Sequence, residues 1–165
     1  MTLSASHRTL IGIIGSGATE LPAKLKQFAY KAGQLVAGKG FVLLTGGRGG
    51  IMYHASRGAS EAGGTVVGII PGKDTQECNP FVDIPIITGI SDARNLINIL
   101  SARVVIAFPG GGGTLSEIGL ALKNGVPIIN CGDWRVENAL FKPDAGLHTA
   151  VDIEAIERLL DQFCG

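Results

Sequence analysis

Cysteine, histidine, aromatic residues and net charge are all scarce in this chain of 165 residues. The three cysteines, Cys78, Cys131 and Cys164, are odd in number, widely spaced and form no CxxC pair. That excludes a disulfide framework and points to a reducing compartment, the cytoplasm by default. The three histidines, His7, His54 and His148, do not fall at metal-ligand spacings, so no metal site is expected. Lys plus Arg and Asp plus Glu number 14 each. A chain so balanced has no overall field to draw in nucleic acid or an anionic membrane. No apolar run reaches the roughly 18 residues of a spanning helix, and residues 1–8 lack the basic-then-apolar order of a signal peptide.

Glycine, by contrast, is abundant at 25 residues and clusters at the ends of apolar runs. With only 17% charged residues, the chain must bury a sheet well or hide surface in an oligomer. Apolar runs at 9–14, 41–45, 65–70, 84–88, 104–108 and 126–130 read as strands, with a short last one at 148–151. Helical spacing covers 20–37, with Pro22 in its first turn, and 51–62. Another helix, capped by Ser91 or Asp92, runs to about residue 101. A fourth follows the glycines after 109, and a fifth is capped by Asp152. Residues 73–82 and 132–144 read as irregular.

This alternation predicts an α/β fold, a Rossmann-like doubly wound parallel sheet of six to seven strands with helices on both faces. Residues 1–165 are expected to form a single domain. Ligands of such sheets sit at the carboxyl ends of the strands, where strand order reverses. The glycine clusters after strands one, two and five all fall at such ends, which points to one crevice.

Pro109-Gly110-Gly111-Gly112-Gly113-Thr114-Leu115-Ser116-Glu117 is the organising stretch. Strand, then four glycines, then helix exposes backbone N–H groups at a helix N-terminus, a place for a phosphate. Four glycines cost more backbone entropy than a plain turn requires. Thr114 adds a hydroxyl, and Glu117 follows three residues later on the same helical face. A carboxylate there repels an anion, so it needs another reason to be present. Arg94 is expected in the first turn of a neighbouring helix. If strands four and five pair, Arg94 and Glu117 border one phosphate as a working pair or an orienting ion pair. Gly15, Ser16, Gly17, Gly46, Gly47 and Arg48 would flank the same crevice, with Arg48 able to reach a phosphate. Only one carboxylate, Glu117, is expected inside it; Asp83 and Asp92 read as cap or loop residues.

Several nucleotide sites are absent. Gly15-Ser16-Gly17-Ala18-Thr19-Glu20 lacks the third glycine of GxGxxG, and Thr45-Gly46-Gly47 supplies no acid for a ribose. Neither NAD nor FAD is therefore expected. There is no GxxxxGK[ST] run and no GxSxG elbow.

The stretch from Pro109 to Glu117 resembles the PGGxGTxxE signature of the Lonely Guy family and its relatives. Gly46-Gly47-Arg48-Gly49-Gly50-Ile51-Met52 is similar to that superfamily's GGGxxGLM turn, and Gly63-Gly64-Thr65-Val66-Val67-Gly68-Ile69-Ile70-Pro71 to its GGxVxGIIP strand. Arg94 stands fifteen residues before Pro109, as the arginine of the family's second motif does. One branch holds phosphoribohydrolases, which cleave the N-glycosidic bond of a nucleoside 5′-monophosphate. There the resemblance implies Arg94 and Glu117 as the catalytic pair. The other branch holds molybdenum cofactor carrier proteins, which bind a pterin phosphate without turnover. Arg94-Asn95 in place of Arg-Lys, and Ser116-Glu117 in place of two acids, resemble the carrier branch. The resemblance thus implies a phosphorylated small-molecule ligand, molybdenum cofactor first, at Gly110, Gly111, Gly112, Gly113, Thr114, Arg94, Asn95 and Glu117. It further implies a homodimer or homotetramer. A phosphoribohydrolase and a non-catalytic nucleotide sensor are the alternatives.

Overall fold

In the computed structural model, residues 7–137 and 146–165 are described. Expectations for residues 138–144 lie outside them. Seven parallel strands form one sheet: β1 (Leu10–Ile14), β2 (Val42–Thr45), β3 (Val66–Ile70), β4 (Ile84–Ile87), β5 (Val104–Ala107), β6 (Ile128–Asn130) and β7 (Leu147–Thr149). Their order is β4-β3-β2-β1-β5-β6-β7. Among the described residues, four α-helices lie between strands, α1 (Ala23–Gly38), α2 (Ile51–Glu61), α3 (Asn95–Ser101) and α4 (Gly112–Lys123), and α5 (Ile153–Cys164) follows β7.

The strands read as continuous apolar runs because both of their faces are covered. Ile11, Ile13, Leu43, Val104, Ile106 and Phe108 bury one face under α1, α2 and α5. Ile14, Leu44, Ile69, Val105, Ala107 and Ile128 bury the other under α3 and α4, through Ile99, Ile118 and Ala121. Each fully buried large side chain of this kind contributes about 1.5–3 kcal/mol. Asp152 caps α5 as expected, accepting from the Ala155 N–H at 2.7 Å.

Strand order departs from one expectation. β4 and β5 do not pair: β3, β2 and β1 lie between them. The chain steps outward from β1 to the β4 edge, then returns across the sheet to place β5 on the far side of β1. Strand order therefore reverses between β1 and β5, and β1 pairs with both β2 and β5. The returning segment carries Arg94 back over the sheet toward the switch point.

Further differences are local. Neither Ser91 nor Asp92 caps a helix. Ser91 has φ 52° and opens a 3-10 turn, Ser91–Arg94, that leads into α3 without a side-chain cap. Pro22 precedes α1 rather than lying within it, because proline's fixed φ suits the entry. β4 is not covered on both faces. As an edge strand it leaves all four residues exposed, including Ile84, Ile86 and Ile87. No helix among the described residues is long and apolar enough to cross a membrane.

Candidate functional site

A crevice of about 610 Å³ opens at the carboxyl ends of β1, β2 and β5, where a doubly wound sheet binds its ligands. Its size suits a small organic molecule. Three turns build its floor. After β1, the Ser16 N–H donates to the Pro109 carbonyl at 2.9 Å, and the Ser16 carbonyl accepts from the Ile51 N–H at 2.8 Å. This ties the first turn to the glycine turn on one side and to the start of α2 on the other. Gly50, at φ 62°, must lack a Cβ because one would strike the Ser16 carbonyl.

After β2, the Gly47 N–H donates to Thr45 Oγ1 at 3.0 Å. Asn79 closes that turn from the next loop: its N–H donates to the Gly47 carbonyl at 2.8 Å and its Nδ2 to the Arg48 carbonyl at 3.1 Å. After β5, the Trp134 indole donates to the Phe108 carbonyl at 2.9 Å. The turn then enters α4 at Gly111, with no side-chain cap. The N-terminal turns of α2 and α4 both border the crevice, through Gly49 and Met52 and through Gly111, Gly113 and Thr114. Each presents the positive end of a helix dipole.

Of the residues expected from sequence, Gly15, Ser16, Gly17, Gly46, Arg48, Arg94, Asn95, Gly111, Gly113, Thr114 and Glu117 line this one crevice. Gly47, Gly110 and Gly112 do not. Gly47 turns the chain at φ 71°, and Gly110 sits against Thr114 and the Ser16 N–H. Ile13, Ile14, Thr19, Gly49, Met52, Glu77 and Asp92 also line the crevice. Carboxylates are thus three rather than the single one expected. Glu77 belongs to a loop without periodicity, so its place could come only from the fold. Asp92, expected to cap a helix, sits instead in the 3-10 turn and lines the crevice.

Arg94 is the unusual member. It is only 7% exposed, and its Nε is buried with no hydrogen-bond partner. The expected ion pair with Glu117 is absent, and the two charges interact only at longer range. Burial lowers the Arg94 pKa from its ordinary value, while the Glu117 charge opposes that shift. Glu117 lies in the second turn of α4, not the first, so it does not complement the helix dipole. It is 8% exposed, and Asn98 Nδ2 donates to its Oε1 at 3.3 Å. Burial pushes its carboxyl up to about 7, against the opposing pull of Asn98 and Arg94. Thr114, 4% exposed, faces the same space from one turn earlier. At the rim, Arg48 Nε pairs with Glu77 Oε2 at 3.3 Å, an exposed contact that contributes little stability.

Fold and crevice together define a doubly wound, Rossmann-like α/β protein with a ligand-sized opening at its switch point. The chain belongs to the SLOG cluster4 family, whose model matches residues 8–157. It is similar to the molybdenum cofactor binding protein from the phototrophic bacterium Rippkaea orientalis, at 43% identity and a TM-score of 0.88, over 98% of this chain and 100% of that one. It is also similar to the molybdenum cofactor carrier protein of Chlamydomonas reinhardtii, at 38% identity and a TM-score of 0.85, over 95% and 98% of the two chains. An uncharacterized protein of Archaeoglobus fulgidus is 46% identical over 115 residues, 70% of this chain and 74% of the relative.

Proposed function

We propose that this protein binds and carries a phosphorylated heterocycle, molybdenum cofactor above all, with its phosphate at the Gly111–Thr114 end of the crevice. The observation that carries this reading is Arg94. A buried guanidinium with an orphaned Nε beside a crevice is costly unless an anion comes to it. The helix starts at Gly111 and Gly49 add backbone donors, and Thr114 adds a hydroxyl. The likeness to two proteins described as binding or carrying molybdenum cofactor supports that cofactor as the ligand. Here the cofactor is cargo, and Gly111, Gly113, Thr114, Arg94 and Asn95 are the residues proposed to hold it. The test is equilibration with molybdenum cofactor followed by gel filtration. Co-elution in the wild type, lost in Arg94→Ala, is the expected outcome.

A second reading has a specific observation behind it. Glu117, with its carboxyl raised to about 7, shares the crevice with Asp92, and glycoside hydrolysis uses one protonated and one ionised carboxyl. Release of free base from AMP that disappears in Glu117→Gln would establish phosphoribohydrolase activity and displace the carrier reading.

We further place the protein in the cytoplasm as a homodimer or homotetramer. Ile84, Ile86 and Ile87 on β4, with Leu96, Ile97 and Leu100 on α3, are all exposed. An apolar surface of that extent is normally covered. Sedimentation as a monomer at micromolar concentration would contradict the assembly.

A further inference from the structure

Of the three carboxylates lining the crevice, Glu117 is the buried one, and phosphate binding does not explain it, since an ionised carboxylate beside an anion opposes that anion. We propose that Glu117 serves the site as a neutral carboxylic acid, donating a hydrogen bond from Oε2 to the bound anion, so that binding is coupled to one proton. This inference rests on the anion-binding reading above.

Geometry supports it from three sides. Asn98 Nδ2 occupies Oε1 at 3.3 Å, which leaves Oε2 as the oxygen free to carry a proton. Asn98 itself is 3% exposed, and its Oδ1 has no donor. The amide presents its NH2 to Glu117, so Oε1 is the oxygen already engaged. Among the described residues, Glu117 makes no ion pair although Arg94 shares its crevice. The guanidinium is left for the ligand rather than spent on the carboxylate.

The charged groups facing this space act in both directions. Arg94 from the 3-10 turn favours the ionised form, and Asp92 from the same turn favours the acid. Arg48 on the β2–α2 turn is engaged by Glu77 at the rim. Burial of the carboxyl outweighs the other influences and keeps the acid populated up to neutral pH. An arriving anion adds negative charge and reinforces that form. Burial that keeps a carboxylic acid neutral enough to donate is an established catalytic device; here it would serve recognition. A neutral acid is a donor, whereas a carboxylate can only accept.

Sulfate, whose charge does not change between pH 6 and 9, is a suitable probe of the anion position. Its affinity for the wild type should fall about tenfold per pH unit above neutrality, one proton being lost per site. Glu117→Gln, whose amide donates at every pH, should bind sulfate with a level profile. The carbonyl band of Glu117, isolated as the infrared difference between wild type and Glu117→Gln, should titrate near neutrality without any ligand. A level sulfate profile in the wild type, or a Glu117 carboxyl ionised well below neutrality, overturns the proton coupling while leaving the anion site standing. Absence of sulfate binding by both proteins at every pH overturns the anion site and this inference together.

Discussion

Gly46 and Arg94 compete for one space: a Cβ on Gly46 would sit on the Arg94 guanidinium, nearest to Nη1. The absent side chain on the β2 turn is what admits the buried cation to the crevice. Because the obstructing atoms are the tip of a flexible side chain, Gly46→Ala should displace Arg94 at little cost in stability, about 1 kcal/mol or less. Sulfate affinity should nevertheless fall about tenfold or more, as a charge-assisted contact is lost. Isothermal titration and thermal melting of the same variant check both halves. Wild-type affinity in Gly46→Ala would contradict the role given to Arg94.

Arg94→Met should separate binding from stability in the opposite direction. A buried guanidinium with an unpartnered Nε disfavours the folded state, and replacing buried ion pairs with apolar side chains of similar volume is often neutral or stabilising, by about 1–4 kcal/mol. The variant should melt higher than wild type and bind no sulfate. A variant that melts lower would show that Arg94 is satisfied in the ligand-free protein.

Glu117 gives stability a defined pH dependence. Burial raises its folded-state pKa to about 7 from the ordinary 4.5. The folded protein therefore holds a proton that the unfolded chain has already released across that window. Stability due to this group is fully present below pH 4.5, declines as pH rises toward 7, and is level beyond it. The loss is about 3 kcal/mol in order of magnitude. Glu117→Gln should remove that slope and be more stable than wild type at pH 8, as urea unfolding at pH 5 and 8 would show. Parallel curves for the two proteins would contradict the buried acid.

The crossing of α1 and α2 should tolerate substitution poorly. A Cβ on Gly33 would strike the Ala55 carbonyl, and one on Gly58 the Tyr30 carbonyl. Neither backbone can yield as a side-chain tip can, so Gly33→Ala and Gly58→Ala should each cost about 2 kcal/mol or more. Thermal melts should show this. Because α2 begins the crevice wall, sulfate affinity should fall with stability in these variants, unlike in Gly46→Ala.

The strands, the helix order and the glycine turns were legible because the apolar runs of β1, β2 and β5 stop at glycine clusters and the helices show a clear apolar period. Gly46, Arg94, Thr114 and Glu117 were grouped in one crevice for a partly mistaken reason. Pairing of β4 with β5 would set Arg94 directly beside Glu117. In fact the crossover from the β4 edge carries Arg94 over three strands to reach the same place. Strand order depends on long-range packing, and spacing in sequence does not encode it. Glu77 and Asp92 were missed or misassigned for the same reason, as loop and turn geometry decided where they point. The missing Arg94–Glu117 ion pair could not be read from residue types at all, since opposite charges in one site ordinarily imply one.

Retention of molybdenum cofactor at the Arg94 crevice is the decisive property. Wild type, Arg94→Ala and Gly46→Ala should each be equilibrated with the cofactor, passed through gel filtration and assayed for molybdenum and pterin in the protein peak. Retention by the wild type with loss in both variants is the predicted result. Equal retention by all three, or none by the wild type, would contradict it.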